Sequence, residues 1–191
     1  KEKIKGRMLK SLERLQTDYI DCYQIHAVSR VEQLKNEGYH AAIRELKAEG
    51  KVRFSGISSH GPQWQEAPDT MEQVHLAAAE DGRFDVNMLV YNFIQRDAGE
   101  RILKAYKEKN IGAVLFKTNP VLNYVEKKEE AERMIQEGRE VPESFQKMID
   151  WLKVRADKAE SFKKKYNLTK FGEIRHTAIK FALGNPNVNC A

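Results

Sequence analysis

Asp18-Tyr19-Ile20-Asp21-Cys22-Tyr23-Gln24-Ile25-His26 is a β-branched and aromatic run that stops at a histidine. Such a run predicts a strand over residues 19–25. Before it, Ile4, Met8, Leu12 and Leu15 recur at helical spacing with charges between them, which predicts a helix over residues 2–15. After it, Leu34, Ala42, Ile43 and Leu46 predict a helix over residues 31–49, stopped at Gly50. In parallel β/α proteins the side chains that do chemistry stand at the carboxyl ends of the strands. His26 falls at such an end.

The same alternation continues outward. Residues 51–58 predict a strand, with Gly56 marking a close approach of backbone or ligand. A helix follows within residues 63–80, begun after Pro62 and delayed or broken by Pro68. Residues 84–91 and 111–116 predict strands, with a helix over 98–109 between them. Residues 169–183 predict a helix, and 188–191 a short last strand. Strict alternation implies parallel strands joined by right-handed crossovers. A doubly wound sheet and a β/α barrel both satisfy it.

Residues 119–168 interrupt the pattern. They are dense in charge, as in Glu126-Lys127-Lys128-Glu129-Glu130 and Lys163-Lys164-Lys165, yet carry Met134, Ile135, Phe145, Met148, Ile149, Leu152 and Phe162. Such length without structure is uncommon inside a compact domain. Two or three helices capping one end of the sheet are expected, broken at Val141-Pro142-Glu143. A lid over an active site and a structural appendage both fit.

Composition narrows the class. With 191 residues, 41% of them hydrophobic and 32% charged, the chain fits one soluble globular domain. The 33 basic and 28 acidic residues are well mixed, and no basic patch with interleaved aromatics points to nucleic acid. No apolar stretch approaches the roughly 20 residues that span a bilayer, so no membrane partner is expected. Lys1-Glu2-Lys3-Ile4-Lys5-Gly6-Arg7 is no secretory signal. Cys22 and Cys190 fall in predicted strands and read as buried thiols of a reducing compartment, here the cytoplasm. No metal site is expected: paired-cysteine spacing is absent, and His40, His75 and His176 lie in helical patterns rather than at strand ends.

Several segments resemble the aldo/keto reductases, in the family's order. Ser11-Leu12-Glu13-Arg14-Leu15-Gln16-Thr17-Asp18-Tyr19-Ile20-Asp21 resembles a helix-to-strand entry, and Tyr23-Gln24-Ile25-His26 the strand that closes with the catalytic histidine. Leu46-Lys47-Ala48-Glu49-Gly50-Lys51-Val52-Arg53-Phe54-Ser55-Gly56-Ile57-Ser58 resembles the next helix end and strand. Tyr91-Asn92, Ile111-Gly112 and Asn185-Pro186-Asn187-Val188 follow at later positions. Ser59-His60-Gly61 and Phe116-Lys117-Thr118 look like a bacterial subgroup, some of whose members carry an iron–sulfur tail. No cysteine cluster here supports such a tail.

The resemblance implies an α/β fold, a partial (β/α)8 TIM barrel. Residues 1–191 would supply about its last five β/α units, with residues 119–168 as a helical insertion before the final helix and strand. It implies an NAD(P)H-dependent oxidoreductase, with NADPH or NADH as cofactor and a small-molecule aldehyde, ketone or sugar-like carbonyl as substrate. His26 matches the histidine that orients and polarises the carbonyl. Ser58 matches the serine that binds the nicotinamide carboxamide, and Ser59 stands where asparagine is usual. Met88 stands where a glutamine often serves the same amide. Phe116 matches the ring that stacks on the nicotinamide, and Lys117 and Asn119 lie toward the cofactor diphosphate. The family's catalytic tyrosine, lysine and aspartate have no match here. A fragment that is inactive alone is therefore expected. The alternative is a non-catalytic cofactor-binding or interaction protein on the same scaffold. By position alone, His26 and Phe116 also fit core packing, and Ser58 and Ser59 fit strand-end capping.

Overall fold

The structure is a computed structural model that describes residues 1–60 and 68–191. The helix start expected after Pro62, and Gly61 of the subgroup motif, lie outside the described residues. The chain divides into two compact units.

The first unit comprises Lys1–Val90, Asp97–Phe116 and Pro186–Cys190. Its elements are α1 (Glu2–Leu15), β1 (Ile20–Ile25), a 3-10 turn (Val31–Lys35), α2 (Glu37–Ala48), β2 (Val52–Ser59), α3 (Met71–Asp81), β3 (Val86–Val90), α4 (Arg96–Glu108) and β4 (Gly112–Phe116). The four strands are parallel and pair in chain order, β1-β2-β3-β4. A doubly wound sheet reverses its strand order at a switch point. No reversal occurs among these four strands, which is the order of an arc of a β/α barrel. The fold class is α/β, a partial barrel.

Two expected elements differ from the sequence reading. The helix over residues 31–49 is split, because the Asn36 side chain accepts the Tyr39 amide at 3.0 Å and caps a fresh start for α2. The strand over residues 188–191 is reduced to one parallel bridge, Val114 to Cys190. There the Asn189 side chain takes the Ala113 amide at 2.8 Å, in place of a further backbone partner. At the start of α3, Thr70 and Gln73 form a capping box, which sets the helix start beyond Pro68.

The two faces of the arc differ. On the outer face, Met8, Leu12, Leu34, Tyr39, Ile43, Leu46, Ile57 and Val74 join one buried core between helices and sheet. On the inner face, Cys22, Val86, Met88 and Val114 are half-buried and Phe54 is exposed. The inner-face backbone is crowded at Gly56. A Cβ there would lie 1.7 Å from the Val86 carbonyl oxygen. That oxygen accepts a hydrogen bond from Gln24 Nε2 at 3.0 Å, reaching across β2 from β1. The expected close approach at Gly56 is thus made by backbone. Of the two thiols, Cys22 is half-buried and Cys190 is exposed, so the expected burial fails for Cys190. Its strand was to cover it, but contributes only the single bridge.

The second unit comprises Tyr91–Arg96, Lys117–Asn185 and Ala191. It holds α5 (Leu122–Gln136), α6 (Glu143–Lys158), α7 (Glu160–Lys165) and α8 (Phe171–Leu183). Pro142 is the N-cap of α6, so the predicted break falls there. Val121, Ala156, Ala159 and Ile174 form its core, joined by Phe93, Ile94, Tyr124 and Leu168. Phe93 stacks on Phe162 at 3.8 Å between ring centroids. None of the described helices is long and apolar enough to cross a membrane.

Candidate functional site

Alternation along parallel strands decides what shares a face. β1 and β2 are in register as Cys22 with Phe54 and Gln24 with Gly56. Two residues on, His26 stands beside Ser58. β2 pairs Ser58 with Met88, and β3 pairs Met88 with Val114 and Val90 with Phe116. His26, Ser58, His60 and Phe116 therefore belong to the inner face, at the carboxyl ends of β1, β2 and β4.

Ring contacts support this placement. His60 lies 4.6 Å from Phe116 and 6.4 Å from His26 between centroids, nearly perpendicular to both at 77° and 85°. Three rings thus form a row across strand ends. His26 is exposed, and His60 and Phe116 are half-buried.

The turn that carries His26 is held from β2. Ala27 has φ of 54°, in the left-handed region that L-residues rarely adopt. The Ala27 amide donates to Ser58 Oγ at 3.0 Å, and the Val28 amide to the Ser58 carbonyl at 2.8 Å. These two bonds hold the strained turn that follows His26. Ser58 is 4% exposed. Its oxygen accepts from Ala27, which leaves its hydroxyl hydrogen available to donate.

Ser59 is not brought to that face. It is fully buried, next in alternation to Ser58, and its backbone lies against His75 of α3. His75 is itself wholly buried, with Nδ1 2.5 Å from the Tyr106 hydroxyl of α4. Burial pushes the His75 imidazole down to about 3, so it is neutral at ordinary pH. Nearby, Asn87 Oδ1 accepts the Ile57 amide at 2.9 Å, which fastens the end of β2 from β3.

Lys117 belongs to the second unit. It has φ of 52°. Its carbonyl accepts from Asn92 Nδ2 at 3.0 Å, and Asn92 Oδ1 accepts the Ile94 and Gln95 amides. Gln95 Oε1 accepts from Arg155 of α6 at 2.8 Å. The Lys117 side chain is exposed overall, yet partial shielding, and after it the Arg155 guanidinium, push its ammonium below the ordinary range. Burial likewise pushes Arg155 down. Asn92 thus fixes the loop after β3 by its bonds.

His60 and Arg155 were not among the residues expected from sequence. His60 carries a readable signal, since it lies two residues beyond Ser58, just past the end of β2. Arg155 carries none, being one of many charges in the 119–168 stretch. Among the described residues no group of three or more histidine, cysteine or carboxylate side chains could hold a metal.

Comparison with known proteins follows the same lines. A 59-residue stretch is 49% identical to the uncharacterized oxidoreductase YqkF of Bacillus subtilis, covering 31% of this chain and 19% of that protein. The aldo-keto reductase YhdN of the same organism is 27% identical over 106 residues, 56% of this chain and 28% of its own length. Among solved structures, the glycerol dehydrogenase AKR11B4 from Gluconobacter oxydans superposes with a TM-score of 0.55 at 16% identity. That match covers 98% of this chain and 53% of the other, so this chain spans about half the length of that structure. It shows the shared fold. The family model described as the aldo/keto reductase family matches residues 1–191, and the chain belongs to that family.

Proposed function

We propose that this chain forms the histidine-bearing part of a cytoplasmic, NAD(P)H-dependent oxidoreductase that reduces an aldehyde, ketone or sugar-like carbonyl. The observation that carries the reading is the row His26–His60–Phe116 on the inner face, at strand ends of a family member. Carbonyl reduction needs a flat ring bound beside the substrate and a donor aimed at the oxygen that gains charge.

The residues present fit such a cofactor. Phe116 offers a half-exposed ring for stacking. Ser58 retains one hydroxyl donation toward an amide oxygen, while its oxygen serves Ala27. Ser59, in the helix layer, supports the strand end rather than touching the cofactor. Within the second unit by itself, Lys117, with Arg155 close enough to lower its ammonium, is a positive charge of the kind a diphosphate takes. When bound, the nicotinamide would supply hydride to the carbonyl carbon, and the proton for its oxygen would come from the family's tyrosine, which matches no position in residues 1–191. His26 donates a hydrogen bond to the carbonyl oxygen and stabilises the charge that grows there as the hydride arrives. Ser58 fixes the His26 turn.

The test is NADPH and NADH oxidation by the full-length protein against a panel of aldehydes, ketones and sugars. Turnover that needs both a nicotinamide and a carbonyl is expected. Residues 1–191 expressed alone are expected to give none, since the family's tyrosine, lysine and aspartate match no position here, and loss of general acid catalysis costs about 10²–10⁴-fold. Full-length protein that binds the cofactor without turnover would favour a non-catalytic scaffold.

A further inference from the structure

We propose that His60 is a positioning residue that holds the His26 ring in its working orientation, a role that rests on the reading of His26 given above. The geometry is a brace between two partners. The His60 ring meets Phe116 at 4.6 Å and His26 at 6.4 Å, edge to face with each. Aromatic pairs favour this arrangement at separations of about 4.5–7 Å, because the positive edge of one ring meets the negative face of the other.

The three residues differ in how firmly they are anchored. Phe116 ends β4, which pairs with β3 along its length. His60 follows β2, whose end is fixed by the Asn87 bond to the Ile57 amide and by the fully buried Ser59. His26 is exposed and precedes a turn at positive φ. The turn after it is fastened to Ser58 through the Ala27 amide, while its side chain is exposed. An exposed side chain keeps rotamer freedom, and ordering it at each encounter slows turnover. A donor aimed at a developing charge must be held within about 10–20° of the productive direction. The anchored rings restrict the free one.

The test uses His60→Ala and His60→Phe, each also in a His26→Ala background. In the full-length protein, His60→Ala is expected to lower kcat between about 2- and 10-fold, the range of one aromatic contact. Cofactor Kd should change less than about twofold. His60→Phe, which keeps an aromatic edge, should restore most of the loss. In the His26→Ala background, His60→Ala should have no further effect, since a residue acting through another has nothing left to act on. The second readout is independent of turnover: the His26 ring-proton resonances should move in His60→Ala and return in His60→Phe. Resonances unmoved by His60→Ala would overturn the brace, even in a protein without reductase activity. A kcat loss of equal size in the His26→Ala background would overturn it as well. Absent turnover, with the resonances moving as expected, would count against the oxidoreductase reading while upholding the contact.

Discussion

Replacing Gly56 by alanine tests the arc at its tightest point. The added Cβ would stand 1.7 Å from the Val86 oxygen and 2.8 Å from its carbon, where ordinary contact begins at 3.4 Å. The obstruction is backbone, so no side chain can swing away. Either β3 or β2 must retreat. Retreat disturbs the bond from Gln24 to Val86 at 3.0 Å and the bond from Ile57 to Asn87 at 2.9 Å. It also disturbs the Asp85 amide, which donates to the Ser55 carbonyl at 2.7 Å. Overpacking costs about 1–3 kcal/mol, and each weakened hydrogen bond adds about 1 kcal/mol. Together the loss is about 4–6 kcal/mol, a large share of the roughly 5–15 kcal/mol that holds a domain together. Gly6→Ala is the control. It lies inside α1 with nothing within 4 Å, and should stabilise by about 0.5–1 kcal/mol. Urea unfolding of both variants measures the difference. A Gly56→Ala protein that loses less than about 1 kcal/mol would refute the close approach and the register built on it.

Two further outcomes follow from groups already described. His75 is neutral in the folded protein with its pKa near 3, while in the unfolded chain it titrates near about 6.5. The unfolded state binds more protons between those values, so stability rises with pH through that window and is unaffected above it. From pH 7 to pH 5 the loss should be about 2 kcal/mol, and His75→Gln should remove that acid limb in a pH series of unfolding midpoints. The assay of residues 1–191 alone should show no oxidation of NADPH with any carbonyl that the full-length protein reduces.

Much of the arc was legible because its signals are local and periodic. α1 spans Glu2–Leu15 as the spacing of Ile4, Met8 and Leu12 implies, and four strands appear where apolar runs were bounded by glycine or charge. The 3-10 turn before α2 was not legible, since Asn36 sits in a polar run where only its side-chain bond reveals a cap. The separation of Ser58 from Ser59 is implicit in the sequence. Adjacent strand residues face opposite ways, so only one of the two could share a face with His26. The same rule points to His60, which was read as part of a motif after the strand rather than as the next inward side chain. Arg155 comes near Lys117 only through the folding of residues distant in sequence, which no local pattern encodes.

Whether His26 acts on the carbonyl or merely fills space is decided by His26→Ala in the full-length protein. One preorganised donor to a developing oxyanion is worth on the order of 3 kcal/mol, which corresponds to a fall in kcat of about 10²-fold. His26 is exposed, so its removal should leave the unfolding midpoint close to that of the parent. Cofactor Kd should stay nearly unchanged, because Phe116 and Ser58 remain. Measured together on the one variant, kcat should collapse while Kd and midpoint hold. Unchanged kcat with a lowered midpoint would show His26 to be a packing residue and would contradict the account.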